Sequence, residues 1–140
     1  MGALNHLSVS EWPEADCDAF TSAYEPGDIF DDTDGPGAHL SPGSRTMIGR
    51  AYGHWLGFLK ANYPEDFSLS PEKRITPERV RAFIENLSGK IRPSTIAISA
   101  ARLYDAARLI APTRDWCWLR SIKSRLASLA RPIEDRKSVV

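Results

Sequence analysis

Between Ser44 and Ala130 the apolar residues recur in four runs at three- and four-residue steps, and a proline stands at an edge of each run. Such steps place apolar side chains on one face of a helix. Proline is tolerated in a first helical turn or just beyond a helix end, and it breaks a helix interior. The chain is thereby constrained to a set of short helices. The first run spans about Ser44–Asn62, with Ile48, Ala51, Tyr52, Trp55, Phe58 and Leu59 on one face, and Tyr63-Pro64 ends it. The second opens on Thr76-Pro77-Glu78, an N-cap, a proline at the first helical position and an acid in the first turn. Its stripe is Val80, Phe83, Ile84 and Leu87, and Ser88-Gly89 stops it. The third starts near Arg92-Pro93-Ser94, carries Ile96, Ala100, Leu103, Ala107 and Ile110, and closes at Ala111-Pro112. The fourth starts near Asp115 and carries Leu119, Ile122, Leu126 and Leu129 before Arg131-Pro132. No stretch alternates as a strand would.

Charge divides the same chain in two. All eighteen Lys and Arg lie between Arg45 and Lys137, whereas the first 44 residues hold nine of the eighteen acids and no base. The formal net charge of zero thus conceals −9 over residues 1–44 and +9 over residues 45–140. A basic helical unit with an acidic extension points to a polyanion partner, most often nucleic acid.

Residues 1–43 read as an acidic, loosely ordered arm rich in Pro and Gly. The stretch Asp28–Gly37 carries little besides Asp, Gly, Thr and Pro, and its burial cannot offset its ordering entropy. Trp12, Phe20, Tyr24 and Phe30 are the residues able to dock such an arm on the domain. The order Asp28, Asp31, Asp32, Asp34, Gly35 does not fit a calcium loop. Cys17 and Cys117 form no metal or redox motif and read as free thiols. No apolar run reaches the ~20 residues of a membrane span, and Met1–Ser10 has no basic leader segment. The expectation is a cytoplasmic protein with no cofactor, no metal, no membrane partner and no small-molecule substrate.

The order and spacing of the four helices resemble the N-terminal core-binding domain of tyrosine recombinases, the phage-integrase family, whose fold is SAM-like. Three stretches carry the resemblance: Leu40–Leu59, with Ser and Thr near its start and Tyr52 six residues after Thr46; Ile75–Ile84; and Arg92–Leu103, where Ser94-Thr95 opens a long amphipathic run. Asp115–Arg120 through Arg131-Pro132 is similar to the family's fourth helix and the start of its interdomain linker. The resemblance covers residues 40–135 or so. It implies an all-α, compact four-helix core-binding domain over residues 44–131, with the arm at 1–43 and a linker beginning at 132–140. It also implies a catalytic domain beyond the linker, carrying Arg, Lys, His-x-x-Arg, His and Tyr. Here His6, His39 and His54 are followed three residues later by Val9, Pro42 and Gly57. Strand cleavage through a tyrosyl intermediate is therefore not expected of this chain, and it reads as no enzyme by itself.

The resemblance implies that the first and third helices approach duplex DNA. The residues agree. Arg45, Thr46 and Arg50 gather at the start of the first helix; Lys90, Arg92, Ser94 and Thr95 gather at the start of the third, with Arg102 on a nearby face. A helix N-terminus with hydroxyls and guanidinium groups suits a phosphate. Arg120, Lys123 and Arg125 read as a solvated face or a linker-facing one, and Lys73 and Arg74 sit in a loop able to reach a phosphate. The expected partners are double-stranded DNA and, through the family's assembly on DNA, other recombinase protomers. The acidic arm, lying over the basic face, is expected to compete with phosphate. The rival reading is a helical protein–protein interaction module.

Overall fold

The computed structural model describes residues 6–26 and 35–130. The aromatic Phe30, most of the Asp-rich stretch and the expected linker at 132–140 lie outside the described residues. Six α-helices carry the chain: α1 (Glu14–Ala23), α2 (Pro42–Asn62), α3 (Pro71–Arg74), α4 (Pro77–Leu87), α5 (Pro93–Ile110) and α6 (Cys117–Leu129). Short 3-10 turns occupy Val9–Glu11 and Pro64–Ser68, and no strand occurs among the described residues.

The expected helices are α2, α4, α5 and α6, and local chemistry fixes their ends. Ser41 caps α2 by accepting from the Ser44 amide at 3.2 Å, so the helix starts at Pro42, two residues earlier than periodicity alone places it. Thr76 caps α4 in the same way through the Arg79 amide at 3.2 Å, with Pro77 at the first position. Gly89, at φ 86°, takes the left-handed conformation that lets the chain leave α4 and enter α5.

Helix α5 is central. It packs along α6 and α2 and also touches α1, α3 and α4. Its inward residues Ile96, Ala100, Leu103, Ala106 and Ala107 are buried, and the alanines let neighbouring helices approach closely. Against them lie Tyr52, Trp55, Leu56 and Leu59 of α2, Val80, Phe83 and Leu87 of α4, and Leu119 of α6. Phe83 meets the rings of Trp55 and Phe58 at centroid distances of 5.4 and 5.3 Å. Burying one such side chain is worth about 1.5–3 kcal/mol.

The arm corrects the expectation of loose order. Residues 6–26 are built into the domain: Leu7, Phe20 and Ala23 belong to the core, and Trp12, Phe20 and Tyr52 form one aromatic cluster with centroids 4.9–5.5 Å apart. The physical reason lies in Glu14–Ala23, ten residues without proline or glycine that repeat apolar groups on one face. Asp16 seals the contact. It is fully buried, its carboxylate receives both hydrogen bonds of the Arg74 Nη1 at 2.8 Å, and the Tyr52 hydroxyl donates to it at 2.5 Å. Gly53 makes room for this docking. The Leu7 amide donates to the Gly53 carbonyl at 3.1 Å, and a Cβ at Gly53 would stand 2.5 Å from the Leu7 carbonyl oxygen.

Candidate nucleic-acid interface

The structure separates the two expected phosphate clusters. The first turns of α2 lie beside the end of α5, since Ser44 and Ile48 share a hollow with Arg102, Asp105, Arg108 and Leu109. Met47–His54 in turn line a groove with Thr95–Arg102. The two helices therefore run antiparallel, and their N-termini sit at opposite ends of the domain.

Arg45 has an internal task. Its Nε donates to the Leu40 carbonyl at 3.1 Å and its Nη2 to the Ala38 carbonyl at 3.0 Å, while the guanidinium stacks 4.4 Å over the Tyr24 ring. It fastens the segment entering α2 against α1. Thr46 is exposed, and its hydroxyl returns to the Pro42 carbonyl at 2.9 Å. Arg74, placed by sequence in a phosphate-reaching loop, is 1% exposed and belongs to the core with Asp16.

The start of α5 is open to solvent. Lys90, Arg92, Ser94 and Thr95 are all exposed, and none has a side-chain partner among the described residues. Arg92 is the N-cap position and its side chain makes no cap hydrogen bond. Two cations, two hydroxyls and a helix N-terminus thus face solvent together, which is a phosphate-binding combination.

Arg50, Thr95 and Arg102 come together on another surface, a groove of 200 Å³ between α2, α4 and α5. Its walls are chiefly apolar: Met47, Ala51, Phe83, Leu87, Ile91 and Ile98. Met47 and Ile98 are 44% and 53% exposed. Arg102 is partly neutralised by Asp105 at 3.5 Å. Apolar walls suit a side chain of another protein better than a phosphate.

A fourth surface gathers four cations, and sequence reasoning gave it little weight. A hollow of 530 Å³ opens between the end of α5, the loop 111–116 and the start of α6. Arg108, Arg114, Arg120 and Lys123 line it, with Asp115 as the single acid. Asp115 is already engaged: it accepts from the Cys117 amide at 2.9 Å, which holds its carboxyl below the ordinary value, and its carboxylate beside the Cys117 thiol pushes that thiol up. Lys123 and Arg108 sit 4.5 and 5.6 Å from the Tyr104 ring, and Arg114 lies 5.4 Å from the Trp116 ring. Arg114 also donates to the Glu72 carbonyl at 3.4 Å. The charged heads of Lys123, Arg108 and Arg114 thus lie against the rings and border the hollow. The four positions are spread over sixteen residues, across two helices and the loop between them, so no short basic run marks them.

Both cysteines are free thiols, and no group of three or more His, Cys, Asp or Glu among the described residues is arranged to hold a metal ion. No described helix is long and apolar enough to cross a membrane. Neither a protein-family model, nor a curated protein, nor a solved structure matches the chain.

Proposed function

We propose that this chain is a DNA-binding module of the tyrosine-recombinase type, gripping duplex DNA through phosphate contacts and leaving strand cleavage to other residues. The observation that carries the proposal is the start of α5. There Lys90 and, from the stretch that carries part of the family resemblance, Arg92, Ser94 and Thr95 stand exposed and unpartnered among the described residues at a helix N-terminus. The all-helical fold is compatible with the resemblance, and the order of the quoted motifs supports it. Contacts of this kind position a protein on DNA without reading sequence, so binding by the module alone is weak and largely sequence-independent. Neighbouring protomers on the same DNA belong to this reading as further partners.

A helical protein–protein module is the second reading. It is favoured by the groove in which Met47 and Ile98 are exposed among apolar walls. Fluorescence anisotropy of labelled duplex DNA at several salt concentrations separates the two. A log–log slope of about −3 to −5 corresponds to four or five neutralised phosphates at ~0.9 each and supports the DNA reading. Absence of binding at low salt refutes it.

A further inference from the structure

The DNA reading leaves open how the duplex lies on the domain, and the charge at the far end of α5 bears on that. We propose that the hollow formed by Arg108, Arg114, Arg120 and Lys123 is a second phosphate-binding site, and that the duplex lies along the outward face of α5 with one cation cluster gripping it at each end. The inference rests on the DNA reading.

Ser94, Ile98, Asp105 and Arg108 follow one another at helical spacing and fall on a single outward stripe of α5. All four are exposed or half-exposed. The stripe begins in the Lys90–Thr95 cluster and ends at Arg108, a wall of the hollow. With 18 residues, α5 is about 27 Å long. That length matches about eight base pairs at ~3.4 Å per step. Between the clusters the stripe carries no cation, and its one acid, Asp105, faces Arg102 at 3.5 Å. The middle of the duplex is thus spanned and its two ends are held.

The chemistry of the hollow favours phosphate over bases. A base would need an open aromatic face to stack on. Here Tyr104 carries Lys123 and Arg108 beside its ring, Trp116 is 5% exposed, and Arg114 lies over it. What remains free is positive charge: Arg120 is exposed with no ion-pair partner among the described residues.

The test uses the full chain, a labelled 16-base-pair duplex and a 5-base-pair duplex. Arg120→Gln with Lys123→Gln is expected to make the salt slope shallower by about 1.8 and to weaken binding at 0.1 M salt by about 60-fold, at ~0.9 per lost phosphate contact. Arg120→Gln alone, at an exposed position, removes about half of that slope and guards against a folding defect in the pair. The 5-base-pair duplex, too short to reach both clusters, binds with a slope shallower by a similar amount. Unchanged slopes in both variants, with wild-type binding intact, overturn the second site and leave the DNA reading standing. Equal slopes for long and short duplexes overturn the arrangement along α5. Absence of salt-dependent binding by the wild-type chain overturns the DNA reading and the second site together.

Discussion

Arg74 and Asp16, 58 residues apart, form an ion pair at 2.8 Å with side-chain exposures of 1% and 0%. The pair joins α3 to α1. Arg74 also donates through Nε to the Asp66 and Leu69 carbonyls, and Asp16 accepts from Tyr52. Every partner is internal, so the contact contributes to structure and is unavailable to a ligand.

Removing one member leaves an uncompensated buried charge. Asp16→Ala and Arg74→Ala are each expected to cost about 3–5 kcal/mol. The double variant Asp16→Leu/Arg74→Met should recover part of that loss, because no charge is then stranded. Urea unfolding of the three variants checks this; additive losses would show that the two side chains do not act as a pair.

Gly53→Ala tests the seat of the arm. Its methyl would meet backbone, the Leu7 carbonyl at 2.5 Å, which no side-chain rotation relieves. The expected cost is about 1–3 kcal/mol, with residues 6–12 displaced from α2. Hydrogen exchange should show the Leu7 amide losing protection while the α5 amides keep theirs.

Alkali should weaken the fold through Tyr52. Burial, reinforced by the Asp16 charge, pushes its hydroxyl well above the ordinary value of 10.0, and burial raises Tyr24 to a lesser degree. Above about pH 10 the unfolded chain releases these protons while the folded chain retains them. Stability is therefore unaffected by these groups below that pH and falls as pH rises beyond it, by at most about 1.4 kcal/mol per unit for each. Tyr52→Phe loses the hydrogen bond to Asp16 and is less stable at pH 7, yet its stability declines less steeply between pH 10 and 11. Parallel declines in the two proteins would contradict this.

Arg45 and the Lys90/Arg92 pair should separate in a charge-swap experiment. Arg45→Glu breaks two hydrogen bonds to backbone carbonyls and the stack on Tyr24, so thermal unfolding should reveal a lower melting temperature. Lys90→Gln with Arg92→Gln should leave melting within a degree or two and make the DNA salt slope shallower by about 1.8. A melting loss in the second variant and none in the first would reverse these assignments.

The helices were legible because their signals are local. Thr76-Pro77, Arg92-Pro93 and the stripes of α2, α4, α5 and α6 carry their own boundaries and faces. Helix α1 was hidden by composition: acids and the nearby Pro and Gly residues outweighed a short face on which Phe20 and Ala23 are joined by an acid, Asp16. The site was half legible. The start of α5 is contiguous in sequence, and its four polar side chains are exposed. Arg45 and Arg74 have ordinary sequence contexts, and only the fold shows that carbonyls or a buried carboxylate occupy their donors. The hollow at α6 joins Arg108 to Lys123 across a turn, a proximity that linear spacing does not express.

The arm's docking changes what truncation would mean. Sequence alone suggests that trimming residues 1–40 would strip a negative screen from the basic face and tighten DNA binding. With Leu7, Phe20, Ala23 and Asp16 inside the core, that cut instead removes a wall of the domain. It leaves Arg74 with no counter-ion and opens the aromatic cluster around Tyr52 to water. The described acidic segment at 6–26 and the basic helices are one folding unit, and a boundary drawn where the charge changes sign would cut through it.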